Sequence, residues 1–348
     1  MPVQFTILGS GSGGNCAFLE TADARILIDA GFSGRQIRQR LAQIGRSPET
    51  LSGILITHEH SDHIQGLAAL CLKSRIPIYC NRLTKEAIEQ VAGEKLHGRI
   101  FETGSSFDIG DVRVDTFSVP HDAYDPVGFL LRAPQVNIGF LTDLGHATKL
   151  VVERVRKANI LVLETNHDLK MLQDDLKRPW SVKQRILSRH GHLCNDAAAG
   201  VAEEIVTADL RHLYLGHLSR DCNRPELAHR VVSERLTKIG ASHVFVESTS
   251  QEAISPTLDC SRLAPPPLPE LRAVSRSPSS PREETTKDEP PHPSPLLHRM
   301  EEREKTGILK QPCPEPVAIR ETYAKLSPQA DFAEIASAFA SLPFGARR

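Results

Sequence analysis

Three imidazoles and a carboxylate stand within six residues at His58-Glu59-His60-Ser61-Asp62-His63. Imidazole nitrogen and carboxylate oxygen are ligand atoms for divalent metals. The run follows a short apolar stretch, GILIT at 53–57, and precedes residues at helical spacing. A strand-to-helix loop can aim His58 and His60 at one metal while Asp62 and His63, opening the helix, aim at a second. A merely solvated loop has no reason to collect four ligands between an apolar strand and an amphipathic helix. Two divalent ions roughly 3.5 to 4 Å apart lower the pKa of a water held between them and neutralise the oxygens of an in-line displacement. Hydrolysis is the chemistry such a pair performs.

The elements that must carry this loop follow from periodicity. Val3, Phe5 and Ile7 alternate as a half-buried strand does, the glycine-rich run 9–15 breaks it, and a second strand follows near Ala17 to Glu20. RILID at 25–29 and GILIT are short β-branched runs. Between them Ile37, Leu41 and Ile44 recur at helical spacing, with Ser33 as cap and Gly45 as stop. A helix after Ser61 places Ile64, Leu67, Ala68 and Cys71 on one face, and Ile76 to Cys80 is another strand. From Arg99 to Glu164 the pattern is strand with little helix: RIFE, then VRVDTFSV after a turn at 108–111, VGFLLRA, NIGFLTD and NILVLE. Helices over 181–189, 195–206 and 225–238 bracket strands at HLYLG and HVFVE. A β-rich stretch followed by an α/β stretch occurs twice. The fold expected is α/β, a four-layered αββα sandwich that buries its strands on both faces.

Composition divides the chain of 348 residues: residues 1–260 hold 9 of the 24 prolines and 20 of the 22 glycines. The expected domain spans 1–259. PPPLP and SRSPSSPREETTKDEPPHPSP mark 260–327 as a disordered linker rich in proline and charge. In 328–348, Phe332, Ile335, Ala336 and Phe339 fall at the spacing of a short amphipathic helix. The net charge of −1 excludes a polycation that would hold nucleic acid by bulk charge. No apolar run approaches the roughly 18 residues of a membrane span, and the amino terminus lacks a charged n-region, so no membrane role and a cytoplasmic location are expected. Seven scattered cysteines without a CxxC pair fit a reducing compartment. Cys16, Cys71 and Cys80 are expected as small buried hydrophobes. The glycine-rich turn lacks the lysine of a phosphate-binding loop.

HxHxDH after a strand resembles the signature of metallo-β-lactamase-fold metallohydrolases, whose architecture is this same sandwich. The resemblance implies further ligands at later strand ends: a His, an Asp shared by both metals, and a last His. His121 follows VRVDTFSVP, Asp143 follows NIGFLT and His217 follows HLYLG. By that resemblance His58, His60 and His121 bind one metal, Asp62, His63 and His217 the other, and Asp143 is shared. His97, His212, His229 and His243 fall outside these motifs. The set suits two Zn²⁺ or Mn²⁺ ions per chain and calls for no thiolate. Asp62 is implied as the proton acceptor.

Four further strings narrow the resemblance: GSGSGGNC at 9–16, HDAYDPVGF at 121–129, ETNHD at 164–168 and GHLCND at 191–196. With LGHLSRDCNRPE at 215–226, they are similar to the YycJ (WalJ) branch, cytosolic 5′-to-3′ DNA exonucleases, over about residues 3–250. Departures are Cys194, where the branch usually has Ser, and the turn from Arg220 to Asn223. The resemblance implies DNA ends as substrate and His192 as the group that donates a proton to the leaving oxygen or holds a phosphate. Asn166, His167 and Asn195 are the candidates for the substrate rim. Lys183, Arg185 and Arg189 make the helix before His192 basic. Trp180, beside a proline, is expected to be packed in the fold rather than to stack a base. Neighbouring readings are a small or cyclic phosphodiester, RNA or thioester substrate. A different class is an interaction protein with structural metals whose tail recruits a protein partner.

Overall fold

A computed structural model describes residues 2–263. Six strands build the first sheet's run: β1 (Gln4–Gly9), β2 (Cys16–Glu20), β3 (Arg25–Ile28), β4 (Gly53–Leu55), β5 (Ile78–Cys80) and β6 (Gly98–Ile100). Helix α1 (Gly34–Gln43) joins β3 to β4, α2 (Ser61–Ile64) and α3 (Leu67–Ser74) join β4 to β5, and α4 (Arg82–Ala92) joins β5 to β6. Strands β3 to β6 are parallel, so each connection needs such a crossover. Ser33 caps α1 in a capping box with Gln36, and Gly45 leaves the helix at φ 69°. The single helix expected after Ser61 is two helices, because the chain turns at Gly66, where a Cβ would lie 2.5 Å from the Phe32 carbonyl oxygen.

The second half opens as an antiparallel meander of β7 (Ser106–Ile109), β8 (Val112–Ser118), β9 (Val127–Ala133) and β10 (Val136–Leu141). Next come α5 (Lys149–Val155), β11 (Ile160–Glu164), α6 (Leu169–Asp174), α7 (Trp180–Ile186), α8 (Asn195–Ile205), β12 (His212–Gly216), α9 (Pro225–Lys238), β13 (Phe245–Ser248) and β14 (Leu258–Asp259). Within the stretch expected to hold little helix, α5 forms because the Thr148 side chain accepts from the Val151 N–H and the valines face inward. The sheets have orders β14-β1-β2-β3-β4-β5-β6 and β13-β12-β11-β10-β9-β8-β7.

The pleat assigns alternate residues to different layers. Ile26 and Ile28 of β3 join Phe129, Leu131, Ile160 and Val162 between the sheets, while Leu27 packs outward with Ile37 and Leu41 of α1. On the other side Leu161 and Leu163 of β11 pack against Val151, Val155, Ala198 and Val232. Three apolar layers thus separate four structural ones, which is the αββα sandwich.

Folded structure continues past residue 259: Cys260 is buried, and its N–H donates to the Val3 carbonyl at 2.9 Å. The linker expected over 260–327 lies outside the described residues from 264 onward, as do the short helix of 328–348 and its partner-recruiting role. Among the described residues no helix is long and apolar enough to cross a membrane. Six cysteines there are free, with Cys16, Cys71 and Cys80 buried as expected.

Candidate metal centre

The ligand loop hangs from β4, whose residues are all buried, and is clamped from below. The backbone N–H of Asn15 donates to the Asp62 carbonyl at 2.8 Å, and that of Ala30 donates to the His63 carbonyl at 2.7 Å. Ser10 links two parts of the site, since its hydroxyl donates to Asn15 Oδ1 at 2.9 Å and accepts from the His217 backbone N–H at 2.8 Å. The glycine-rich turn is therefore a brace beneath the centre. Gly31 is obligatory there, because a Cβ would fall 1.6 Å from the Asp62 carbonyl oxygen.

His121, Asp143 and His217 arrive from the ends of β8, β10 and β12. Asp143 at φ 57° and His217 at φ 55° occupy the left-handed region, as does Asp29 at φ 59° just after β3. Such conformations cost about 1 to 3 kcal/mol each in a non-glycine residue and persist where surrounding structure enforces them. Here they turn three polar side chains inward at the mouth of the sandwich.

The structure brings all seven expected ligands together. Ligand atoms of His58, His60 and His121 lie within 4.8 Å of one another, as do those of Asp62, His63 and His217, and those of His58, His63 and Asp143. His60 Nδ1 is 3.3 Å from His121 Nε2, His217 Nε2 is 3.2 Å from Asp62 Oδ2, and Asp143 Oδ2 is 3.2 Å from His63 Nε2. Asp143 Oδ1 also reaches His217 Nε2 at 3.4 Å and His121 Nε2 at 3.8 Å, which places this carboxylate between the two groups.

Electrostatics divide the groups. Burial, reinforced by neighbouring imidazoles, holds His58 well below the usual range and His60 down at about 4; burial also lowers His121. These three rings are neutral, the form that binds a metal. For His63 and His217 burial is outweighed by Asp143 and the other nearby carboxylates, which hold His63 well above its ordinary value and His217 at about 10. Asp62 and Asp143 stay ionised well below the usual carboxylate range, because imidazoles around them overcome the penalty of burial. A buried, unpartnered His58 Nε2, neutral imidazoles on one side and ionised carboxylates fit a divalent cation, and at His63 and His217 such a cation would take the place of the proton that the carboxylates favour.

Partners behind the ligands were not visible from motifs. His63 Nδ1 bonds to Asp29 Oδ2 at 2.8 Å, and His58 Nδ1 lies 3.0 Å from Thr57 Oγ1, whose hydroxyl also bonds to Asp29. His121 Nδ1 donates to the Gly191 carbonyl at 3.2 Å. Glu164, fully buried at the end of β11, accepts from His217 Nδ1 at 2.8 Å and His192 Nδ1 at 2.7 Å. Its other oxygen accepts from the backbone N–H groups of Leu144 and Leu193. Burial opposes ionisation of Glu164, but His192 and His217 outweigh it and hold the carboxyl at about 2. The signal for Asp29 and Glu164 was an acid closing an otherwise apolar strand, in RILID and NILVLE.

His192 reaches the centre, 3.7 Å from Asp143 Oδ1, and remains partly open to solvent. The rim candidates behave differently. Asn166 is buried and donates to the His217 carbonyl at 2.9 Å, so it supports a ligand. His167 is buried with both ring nitrogens unpartnered. Asn195 is not brought to the rim: it is fully buried, and its amide is engaged by Asn223 in two hydrogen bonds of 3.0 and 2.9 Å.

The model of the beta-lactamase superfamily domain matches residues 24–218. The Bacillus anthracis exodeoxyribonuclease YycJ is 38% identical over 242 residues, covering 69% of this chain and 91% of that protein. The chain belongs to the β-lactamase superfamily, in the family of YycJ and WalJ. The exodeoxyribonuclease WalJ of Streptococcus pneumoniae serotype 2 strain D39 is 37% identical over 262 residues, with 73% and 96% covered. The fold recurs in the metallo-β-lactamase-fold protein YhfI of Bacillus subtilis, at 17% identity and a TM-score of 0.57, over 74% of this chain and all of that one. As a member of the YycJ and WalJ family the chain is a metal-dependent hydrolase, and the clustered His and Asp side chains are its candidate metal centre.

Proposed function

We propose that this chain is a two-metal phosphodiesterase that degrades DNA from its ends, acting in the cytosol. The observation that carries the reading is the position of Asp143, within reach of ligand atoms from both groups. On this reading His58, His60 and His121 hold one divalent ion, Asp62, His63 and His217 hold the other, and Asp143 serves both. The YycJ and WalJ names supply the exodeoxyribonuclease activity. Zn²⁺ and Mn²⁺ both suit the nitrogen and oxygen set. Bound ions supply Lewis-acid polarisation of the phosphate and a water acidified at neutral pH.

The chain's own residues perform the proton transfers. Asp62 is ionised and its side chain is partly open, so it orients the attacking water and accepts its proton. His192 gives Nδ1 to Glu164, which leaves Nε2 to face the substrate. Burial draws the His192 pKa down, the charge of Glu164 outweighs this, and the ring sits above its ordinary value. A protonated Nε2 then delivers its proton to the leaving oxygen as the P–O bond breaks. Free buried cysteines agree with a reducing compartment.

Metal-reconstituted protein assayed side by side on linear DNA, RNA, a small phosphodiester and a thioester tests the reading. Release of nucleotides from linear DNA is expected to be fastest. Preference for a thioester, or no phosphodiester hydrolysis, would overturn it.

A further inference from the structure

Apart from His192 at its end, one segment beside the cleft takes no part in the proposed hydrolysis. Residues 176–192 contain five lysines or arginines and no aspartate or glutamate. Lys183 turns inward, its Nζ 2.7 Å from the Gln173 carbonyl. Carboxylates from outside the segment meet Lys177, through Asp221, Arg178, through Asp175 and Asp221, and Arg185, through Asp122. Arg189 has an imidazole as its partner, His146 Nε2 at 2.9 Å.

This segment is fastened to the rim of the metal centre. Arg185 pairs with Asp122, the neighbour of His121. His146, three residues beyond Asp143, gives its Nδ1 proton to the Arg189 carbonyl at 3.0 Å. His121 itself bonds to the Gly191 carbonyl. Against the expectation that it packs in the fold, Trp180 is 62% exposed, and Leu176 is 99% exposed. Tyr124, on the same loop as Asp122, is 54% exposed. An indole left in water on a ridge of lysines and arginines, whose exposed ion pairs are weak enough to exchange a carboxylate for a phosphate, is matched by a strand that offers flat apolar bases and a chain of anions. Aromatic stacking and phosphate pairing are how single strands are held without sequence preference. Within a duplex each base is covered on both faces and only the terminal pair is open, whereas every base of a single strand can be splayed out, so the occupant that fits the indole and the ridge together is a single strand.

We propose that residues 176–192 bind the single-stranded end of a DNA substrate, with a base stacked on Trp180 and the phosphates following the basic ridge toward His192. The proposal rests on the reading of the centre as a DNA-end phosphodiesterase. Trp180 is the sole tryptophan of the sequence, so tryptophan emission reports this position alone.

The test uses full-length Asp62→Asn protein, in which the strand survives even where the ion held by His58, His60 and His121 remains, titrated with a ten-residue oligothymidylate and with an abasic oligomer of equal length. Saturable quenching by the thymidylate, and little by the abasic strand, is expected. Anisotropy of the labelled oligothymidylate should show Trp180→Ala, added to Asp62→Asn, weakening binding about 5- to 150-fold, the equivalent of one lost base–aromatic stack. Trp180→Phe should recover most of that loss. Unchanged emission while anisotropy shows the strand bound would overturn the proposal and leave the phosphodiesterase reading standing. So would equal affinity of the Ala variant, or emission that shifts with protein concentration alone, which would assign the patch to self-association. A protein that neither binds nor cuts DNA would overturn both.

Discussion

Glu164 Oε1 lies 2.7 Å from His192 Nδ1, deep at the end of β11, and the same oxygen lies 2.8 Å from Nδ1 of His217. One buried carboxylate thus orients both the proposed proton donor and a proposed metal ligand. His192→Ala is expected to leave both ions bound and slow hydrolysis by about 10² to 10⁴, the range for a lost general acid or oxyanion contact. Glu164→Gln should cost about 10- to 100-fold, as loss of a partner behind a ligand does. A purely structural role would stop there. Because Glu164 raises His192 against the pull of burial, its neutralisation should also move the alkaline limb of kcat/KM to lower pH. A pH profile with an unmoved limb would show that Glu164 does not act through His192.

Asp143→Ala should lower occupancy of both sites, since its carboxylate reaches ligand atoms in both groups. Inductively coupled plasma mass spectrometry is expected to find close to two divalent ions per wild-type chain and well under one in the variant. Stripping the ions should lower stability by about 4 kcal/mol per site relative to protein at a free ion concentration 1,000 times Kd. A wild-type chain saturated at one ion would remove the shared role of Asp143.

Local sequence exposed much of this site because ligands and their supports are often neighbours in the chain. HxHxDH needs only a strand and a helix to converge, and β4 with α2 supplies both. The ends of β8, β10 and β12 could be located because apolar runs stop there and a His or Asp follows. Glu164 and Asp29 carry only a weak local mark, an acid closing an apolar strand, because their histidine partners are 28 to 53 positions away and meet them only through sheet and loop packing. Asn195 misled for the same reason, since the buried pairing of its amide with Asn223 depends on two loops meeting. Trp180 misled through a default, that a lone tryptophan packs inside.

Gly31→Ala is expected to be among the most damaging single-methyl substitutions in the domain. The added Cβ would lie 1.6 Å from the Asp62 carbonyl oxygen and 2.6 Å from the Asn15 nitrogen, both backbone atoms that cannot swing aside. Overpacking of this kind costs about 1 to 3 kcal/mol or more. Thermal melting and metal content should fall together. A variant with unchanged melting and two ions bound would show that the ligand loop is not clamped there.

Thiol chemistry checks the cores independently of the metals. Burial pushes Cys71, Cys80 and Cys260 up to about 12, so at pH 8 they carry almost no thiolate, the reactive form. In native protein a maleimide probe should therefore leave all three unlabelled, and denaturant should release them. Rapid native labelling of Cys71 or Cys80 would contradict the packing of α3 and β5. Labelling of Cys260 would show that the turn after β14 does not stay docked.

The most direct measurement compares linear and circular single-stranded DNA as substrates for chelator-stripped protein, before and after reconstitution with Mn²⁺. Linear DNA, labelled in turn at each end, should lose nucleotides from an end only after reconstitution, the circle should stay intact, and Asp62→Asn should abolish the loss. Protein that holds two ions yet leaves linear DNA whole, or that opens the circle as readily as it shortens the linear strand, would contradict a two-metal phosphodiesterase acting on DNA ends.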